Sequence, residues 1–162
     1  MQIRDITKLL EELAPLTLQE NYDNSGLLIG DSSADVHGAL VCLDVTEEVI
    51  DEAISKKCNM IIAHHPIIFS GVKKLNGKNY VERIIIKAIK HDIAIYAIHT
   101  NLDNVANGVN YKIAQKIGLE NIQVLAPKKH LLKKLITFVP IKEAGNVLEA
   151  LHKAGAGAIG NY

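Results

Sequence analysis

Features that would tie this chain to nucleic acid, to a membrane or to secretion are missing from its sequence. Eighteen basic residues offset eighteen acidic residues, so no overall electric field draws the chain to a nucleic acid or an anionic membrane. No apolar run reaches the roughly 18 residues that a membrane-spanning helix needs. The N-terminus, MQIRDITKLLEEL, is charged and amphipathic and lacks the apolar core and cleavage site of a signal peptide. We therefore expect neither a membrane partner nor a nucleic-acid partner.

Cysteine is also scarce. The sequence has two cysteines, Cys42 and Cys58, and they do not form a CxxC pair. Both lie in apolar stretches, where a free cysteine behaves as a small buried hydrophobic residue. We expect two buried free thiols and, from the scarcity of cysteine, a reducing cytoplasmic location.

Common nucleotide-binding loops are missing too. The sequence has no GxxxxGK[ST] loop. The stretch GAGAIG at 155–160 is rich in glycine, but it follows a predicted helix, whereas a dinucleotide-binding loop follows a strand. It is therefore weak evidence for a phosphate site.

What the sequence does contain predicts an α/β fold. Its 162 residues are 48% apolar and 22% charged, a balance typical of a folded domain with a real core. Short apolar segments alternate with helical patterns, which indicates a mostly parallel or mixed sheet covered by helices on both faces. The predicted strands are 27–29, 38–45, 59–63, 93–98 and 122–126. The predicted helices are 3–13, 46–54 capped by Thr46, 80–91 and 105–117.

The character of the sequence changes after Pro127. A basic bridge, KKHLLKK, precedes a predicted strand at 135–140 and a predicted helix at 142–153. This tail is about 35 residues long, below the roughly 40 at which a domain usually folds alone. We expect residues 1–127 to be the N-terminal part of the α/β domain. Residues 128–162 are expected to begin a second, small α+β domain that Tyr162 cuts short.

Residues capable of metal chemistry lie at the ends of three predicted strands. Asp44 follows the apolar residues ALVCL at 39–43, His64 and His65 follow 60–63, and His99 and Asp103 follow 93–98. Loops after parallel strands converge at one edge of the sheet, so we expect these side chains to share a site. Imidazole nitrogen and carboxylate oxygen form a ligand set that zinc, iron, manganese or nickel accepts.

The sequence assigns roles to these residues with some alternatives open. Neighbouring strand residues face opposite ways, so His64 and His65 are expected to bind different ions of a pair, with Asp103 as a bridging ligand. Asp103 is also placed to cap a helix. His99 is a third ligand, a partner that orients a ligand, or an acid–base catalyst, and we favour the last two. Asp44 fits a turn or cap residue. No role is assigned to the other histidines, His37, His91, His130 and His152.

Four motifs together resemble one known family. They are DNSGLLIGD at 23–31, LDVTEEVIDEAI at 43–54, IIAHHPIIF at 61–69 and IHTNLDNVANGVN at 98–110. In this order and spacing they resemble the GTP cyclohydrolase I type 2 homologs, also called Nif-three-like proteins. The resemblance covers essentially the whole chain.

The resemblance implies more than the residues alone. It implies an α/β fold, assembly into homohexameric rings, and two divalent metal ions per subunit facing an internal cavity. His64 and Asp103 would bind one ion and His65 the second. The family completes its site with a histidine and a bridging glutamate from a C-terminal helix, and this chain ends before that segment. The resemblance therefore implies an incomplete site and weak or absent catalysis by this chain alone.

Two functions compete at this point. The first is metal-assisted hydrolysis of a nucleotide or related small molecule, with His99 as a proton carrier. The second is a non-catalytic ring that binds metal or acts as a regulatory partner, with this chain as a fragment of it. The family name implies action on GTP, but no residue identified here recognises guanine.

Overall fold

The structure is a computed structural model that describes residues 1–127 and 134–158. The chain divides into two compact units, Met1–Ile122 and Gln123–Tyr162. Among the described residues, no helix is both long enough and apolar enough to cross a membrane.

The first unit contains alternating helices and strands. In chain order these are α1 (Ile3–Leu13), β1 (Gly26–Ile29), β2 (Ala39–Cys42), α2 (Glu47–Ser55), β3 (Met60–Ala63), α3 (Tyr80–Lys90), β4 (Ala94–Ala97), α4 (Thr100–Asn104) and α5 (Val109–Lys116). A 3₁₀ turn, Leu16–Leu18, follows α1. Thr46 caps α2 as predicted, because its Oγ1 accepts the backbone N–H of Val49 at 3.3 Å.

The four strands form one mixed sheet in the order β1-β4-β3-β2. β2, β3 and β4 run parallel, with Val41 opposite Ile62 and Ile62 opposite Tyr96. β1 runs antiparallel to β4, with Gly26 opposite Ala97. The start of β1 therefore lies at the same edge of the sheet as the ends of the parallel strands. This arrangement confirms the predicted α/β class with a mixed sheet.

Helices cover both faces of the sheet, because alternate residues of each strand enter different cores. On one face, Ile61 and Ile95 pack in a buried cluster that includes Ile50 of α2 and Ile84 of α3. On the other face, Met60, Ala94 and Tyr96 pack in a cluster that includes Ile3 at the start of α1.

β2 differs from the fully buried strand predicted for 38–45. It is shorter, and its residues alternate between exposed and partly buried, with Val41 76% exposed. The prediction was wrong here because β2 is an edge strand of the sheet in the described residues. Cys42 and Cys58 are free, as predicted, but they are half-buried rather than buried.

Helix boundaries near the end of the first unit also differ from the prediction. The helix predicted at 105–117 begins later, at Val109, because a separate short helix, α4, already occupies Thr100–Asn104. Gly108 separates the two helices. A Cβ at Gly108 would lie 1.9 Å from the carbonyl oxygen of Leu102, so only glycine fits this tight junction.

The second unit is described from residue 134 to residue 158, together with the segment 123–127. It contains a 3₁₀ turn, Ile141–Glu143, followed by α6 (Ala144–Lys153), which confirms the predicted helix. The strands predicted at 122–126 and 135–140 are absent. A strand needs a neighbour to satisfy its backbone N–H and C=O groups, and no strand lies in the described part of this unit. Most of KKHLLKK, including His130, and the end of GAGAIG lie outside the described residues.

Candidate metal centre

Two neighbouring parallel strands bring three histidines together at one edge of the sheet. His64 and His65 follow β3 directly, and His99 lies two residues beyond β4. The three imidazole rings have centroids 4.9 to 5.5 Å apart. One ring nitrogen from each histidine lies within 4.8 Å of those of the other two. The predicted convergence of these histidines is therefore present in the fold.

Each of the three rings has its Nδ1 atom bonded to an oxygen. Nδ1 of His64 donates to the carbonyl oxygen of Ile98 at 2.9 Å. Nδ1 of His65 donates to Oδ1 of Asp44 at 2.7 Å, and Nδ1 of His99 donates to Oδ1 of Asp23 at 2.8 Å. These oxygens only accept, so each neutral ring carries its proton on Nδ1 and leaves the Nε2 lone pair for a ligand. This is the arrangement in which histidine binds metal.

Asp23 is the most thoroughly bonded carboxylate of the site. Its side chain has no exposed surface. Besides the ring of His99, its oxygens accept the hydroxyl and backbone N–H of Thr100 and the backbone N–H of Asn24. Burial raises the pKa of Asp23, but hydrogen bonds from Thr100, His99 and Asn24 outweigh that effect and lower the pKa to about 2. Asp23 is therefore an anion that fixes the orientation of His99.

Two further aspartates lie beside the cluster, Asp44 next to His65 and Asp103 next to His64. Asp44 is 60% exposed and bonds His65, so it is more than the turn residue that its position suggested. Oδ1 of Asp103 lies 3.9 Å from Nε2 of His64, and its side chain is 28% exposed. Asp103 does not cap a helix, because it lies inside α4, which begins at Thr100. Its role as a metal ligand stays a prediction.

Asp23 was not among the site residues predicted from the sequence. If all strands were parallel, the segment before β1 would lie at the edge of the sheet opposite the histidines. Because β1 is antiparallel to β4, the turn that leads into β1 lies beside the ends of β3 and β4. The signal that was available is the run of turn-forming residues in NYDNSG, residues 21–26. Three histidines without an assigned role, His37, His91 and His152, are exposed and lie outside the cluster.

Comparison with known proteins places the chain beside one group. A family model described as Duf34/NIF3 (NGG1p interacting factor 3) matches residues 1–162. A protein of Halalkalibacterium halodurans named GTP cyclohydrolase 1 type 2 homolog is 48% identical over 158 residues, which is 97% of this chain and 42% of that protein. A protein of the same name from Staphylococcus aureus strain MRSA252 is 43% identical over 162 residues, which is 100% of this chain and 44% of that protein. The chain thus spans less than half the length of these curated relatives.

Solved structures agree with this similarity. The Bacillus cereus protein related to NIF3 matches with a TM-score of 0.74 and 43% identity, covering 100% of this chain and 45% of that one. Staphylococcus aureus protein SA1388 matches with a TM-score of 0.72 and 48% identity, covering 77% of this chain and 36% of that one. Reduced HcgD from Methanocaldococcus jannaschii matches with a TM-score of 0.69 and 30% identity, covering 75% and 48%.

Proposed function

Because this chain belongs to the Duf34/NIF3 (NGG1p interacting factor 3) family, we propose that it binds divalent metal at the histidine cluster and takes part in hydrolysis of a small, nucleotide-like molecule. The hydrolytic part of the proposal rests on the relatives' name, GTP cyclohydrolase 1 type 2 homolog. The metal-binding part rests on the site itself.

One observation carries the metal proposal. All three clustered rings donate Nδ1–H to an oxygen acceptor, namely Ile98, Asp44 and Asp23. A single packed histidine can form one such bond without binding metal. Three converging rings with their Nε2 atoms all available form a donor set for a cation. Nitrogen donors with nearby carboxylates suit zinc, iron, manganese or nickel.

We further propose the division of ligands that the resemblance implies. His64 and Asp103 would hold one ion and His65 a second, and the distance of 3.9 Å between Nε2 of His64 and Oδ1 of Asp103 is compatible with a shared ion. His99 lies at a similar distance from both other rings. A divalent ion held here would act as a Lewis acid toward a polar bond of the substrate. From the same resemblance we propose assembly into a homohexamer.

The protein's own residues position these ligands. Asp23, Asp44 and the carbonyl of Ile98 each hold one imidazole in the tautomer that directs Nε2 toward the site. Replacing such a partner typically lowers metal affinity 10- to 100-fold. An Asp23→Asn substitution is sharper than a deletion, because the amide keeps the shape of the carboxylate. In one orientation the amide NH₂ group would face the N–H and O–H donors of Thr100. In the other it would face Nδ1–H of His99, so in either case two donors would oppose each other.

Calorimetric titration of the 162-residue chain with Zn²⁺ and with Mn²⁺ tests metal binding. We expect His65→Ala to weaken binding at least tenfold by removing a ligand, and Asp23→Asn to weaken it about 10- to 100-fold. His91→Ala, at the exposed histidine that follows α3, is the matched control and should bind as the parent chain does. Equal affinities for the parent chain, His65→Ala and Asp23→Asn would disprove the assignment.

A second candidate is a protein that binds metal without catalysis. It is favoured by the grouping of one ring nitrogen from each of the three histidines within 4.8 Å. If His99 also binds metal through Nε2, no ring nitrogen of the cluster is left to carry protons. Turnover of a panel of nucleotides with Zn²⁺ or Mn²⁺ separates the two. Turnover that His65→Ala abolishes supports the hydrolase, and tight metal binding without turnover supports the second candidate.

A further inference from the structure

An open cleft adjoins the histidine cluster. It has a volume of about 620 Å³ and is formed by the segment after His65, from Pro66 to Lys74, and by residues 79–82 at the start of α3. This volume lies within the range of about 300–1,000 Å³ typical of small-molecule sites. Phe69 lines the cleft, and its ring centroid is also 6.3 Å from that of His99, at an interplanar angle of 75°. One side chain thus borders both the cleft and the candidate metal centre.

Phe69 pairs with a second aromatic residue to form an exposed platform. The ring centroids of Tyr22 and Phe69 are 6.3 Å apart, with the planes inclined at 35°. Tyr22 is 65% exposed and Phe69 is 51% exposed. A third ring cannot enter between them, because two stacking contacts need a separation of about 7 Å. Their outer faces remain available, and a planar ring can stack there.

A hydrogen bond fixes this platform to the site. Nδ2 of Asn24 donates to the carbonyl oxygen of Ile68 at 2.7 Å, so it joins the turn that carries Tyr22 to the loop that carries Phe69. Asp23, between Tyr22 and Asn24 in the chain, holds His99. The platform and the histidine cluster are therefore held in register by one short turn.

The lining of the cleft carries more positive than negative charge. Lys73 and Lys74 line it, and neither ammonium forms an ion pair or hydrogen bond among the described residues. Glu82 is the acidic residue of the lining, and the backbone N–H groups of Asn76 and Lys78 donate to its carboxylate, which favours its anionic form. Two ammonium groups and one carboxylate leave the lining with a net charge of +1, which suits an anionic ligand.

We propose that this cleft is the substrate pocket of the histidine centre, and that it selects small molecules carrying both a planar heteroaromatic ring and an anionic group such as phosphate. The heteroaromatic ring stacks on the outer face of Phe69, which lines the cleft and which Tyr22 contacts, and Lys73 and Lys74 hold the anion. Stacking does not depend on the identity of the base, so the pocket accepts different heteroaromatic rings. The assignment of the bound molecule as a substrate rests on the proposed function, whereas its binding does not.

Titration with three matched probes tests the proposal. Adenosine 5′-monophosphate has both features, adenosine lacks the anion, and ribose 5-phosphate lacks the ring. In the presence of Zn²⁺, we expect adenosine 5′-monophosphate to bind the 162-residue chain at least tenfold more tightly than either partial probe. A monophosphate is preferred because it competes weakly for the metal.

Variants then separate the two contacts. Phe69→Leu and Tyr22→Leu should each weaken adenosine 5′-monophosphate roughly tenfold, the usual effect of losing a stacking side chain, whereas Phe69→Tyr retains binding. A double Lys73→Gln and Lys74→Gln variant should reduce its affinity to that of adenosine. Tyr111→Leu and Lys112→Gln on α5 are matched controls that should leave affinity unchanged.

The results distinguish this inference from the proposed function. Unchanged Zn²⁺ affinity in Phe69→Leu and Tyr22→Leu shows that the variants are folded. Loss of the preference for adenosine 5′-monophosphate in those variants then supports the pocket. The pocket is overturned if all three probes bind the parent chain equally, or if the α5 controls weaken binding as much as the platform variants. Failure of the parent chain to bind Zn²⁺ would instead overturn the metal proposal and leave the probe result standing.

Discussion

The hydroxyl of Tyr96 is a buried polar group without a hydrogen-bond partner among the described residues. Tyr96 lies in β4, at the centre of the sheet, and has no exposed surface. Burial, together with the negative charge of Glu11, raises the pKa of Tyr96 to about 12. Its ring contributes to the core that packs on α1, but its hydroxyl contributes a desolvation cost that no bond offsets.

A Tyr96→Phe substitution should therefore leave stability at pH 7 unchanged or raise it by up to about 1 kcal/mol. The pH dependence should change as well. Tyrosine in the unfolded chain ionises near pH 10, so ionisation of Tyr96 does not change the stability of the parent chain below about pH 10. Above that pH this ionisation should lower the stability of the parent chain by about 2 to 3 kcal/mol as the pH rises through 12.

Urea unfolding between pH 8 and pH 12 measures this difference. The stability of Tyr96→Phe should decline less than that of the parent chain above pH 10. The same substitution at exposed Tyr80 serves as the control. A parallel decline in Tyr96→Phe and the parent chain would contradict the raised pKa of Tyr96.

At the scale of residues, the sequence predicted which site residues lie close together better than it predicted their hydrogen-bond partners. His64, His65 and His99 could be placed together because the ends of adjacent parallel strands must meet. The acceptors of their Nδ1 atoms could not be predicted. One of them is the backbone carbonyl of Ile98, and every residue has such a carbonyl, so the residue type does not indicate it. The position of Asp23 beside His99 also depends on the direction of β1, and the sequence of a four-residue apolar segment does not specify that direction.

At the scale of elements, the pairing of β1 with β4 depends on a glycine. Gly30 follows β1 with a φ of +111°, a conformation that residues with a side chain rarely adopt. A Cβ at this position would lie 2.6 Å from Cβ and 2.7 Å from Cα of Ala94. The two strands can approach this closely only with glycine at position 30.

We expect Gly30→Ala to lower the free energy of unfolding by about 2 to 4 kcal/mol, because it combines backbone strain with a clash against strand backbone. Gly71→Ala is the matched control in the same unit. A Cβ at Gly71 would meet no atom within 4 Å, so stability should change by less than about 1 kcal/mol. Urea unfolding followed by circular dichroism measures both, and equal stabilities would contradict the close approach.

Elements were predicted best where local and tertiary signals agree. α1 and α3 have strong apolar periodicity and a clear stop, and β3 and β4 are apolar throughout. The segments 122–126 and 135–140 are equally apolar, yet Leu125 and Phe138 are 100% and 95% exposed. Apolar composition alone does not make a strand, because the pairing partner lies elsewhere in the chain and is not encoded locally.

At the scale of the whole molecule, the candidate site and the buried core belong to the first unit. The residues of both core clusters lie between Ile3 and Val105. The three histidines and their acceptors also lie within Met1–Ile122. The second unit contains α6 and contributes no residue to either core cluster among the described residues.

A chain ending at Ile122 should therefore fold and bind Zn²⁺ with an affinity within about threefold of that of the 162-residue chain. Far-UV circular dichroism and calorimetric titration of both chains provide the measurement. A truncated chain that is unfolded, or that has lost Zn²⁺ affinity while folded, would show that the second unit supports the site.

The turn Tyr22–Asp23–Asn24 has a consequence for how this sequence can vary. Its three side chains reach an aromatic ring, an imidazole and a loop carbonyl. Consecutive Cα atoms are about 3.8 Å apart, so inserting or deleting one residue here would displace all three contacts together. Individual side chains of the turn can be exchanged at the cost of one contact each. Its length is therefore under a stricter constraint than its composition, which is the reverse of what an exposed surface loop normally tolerates.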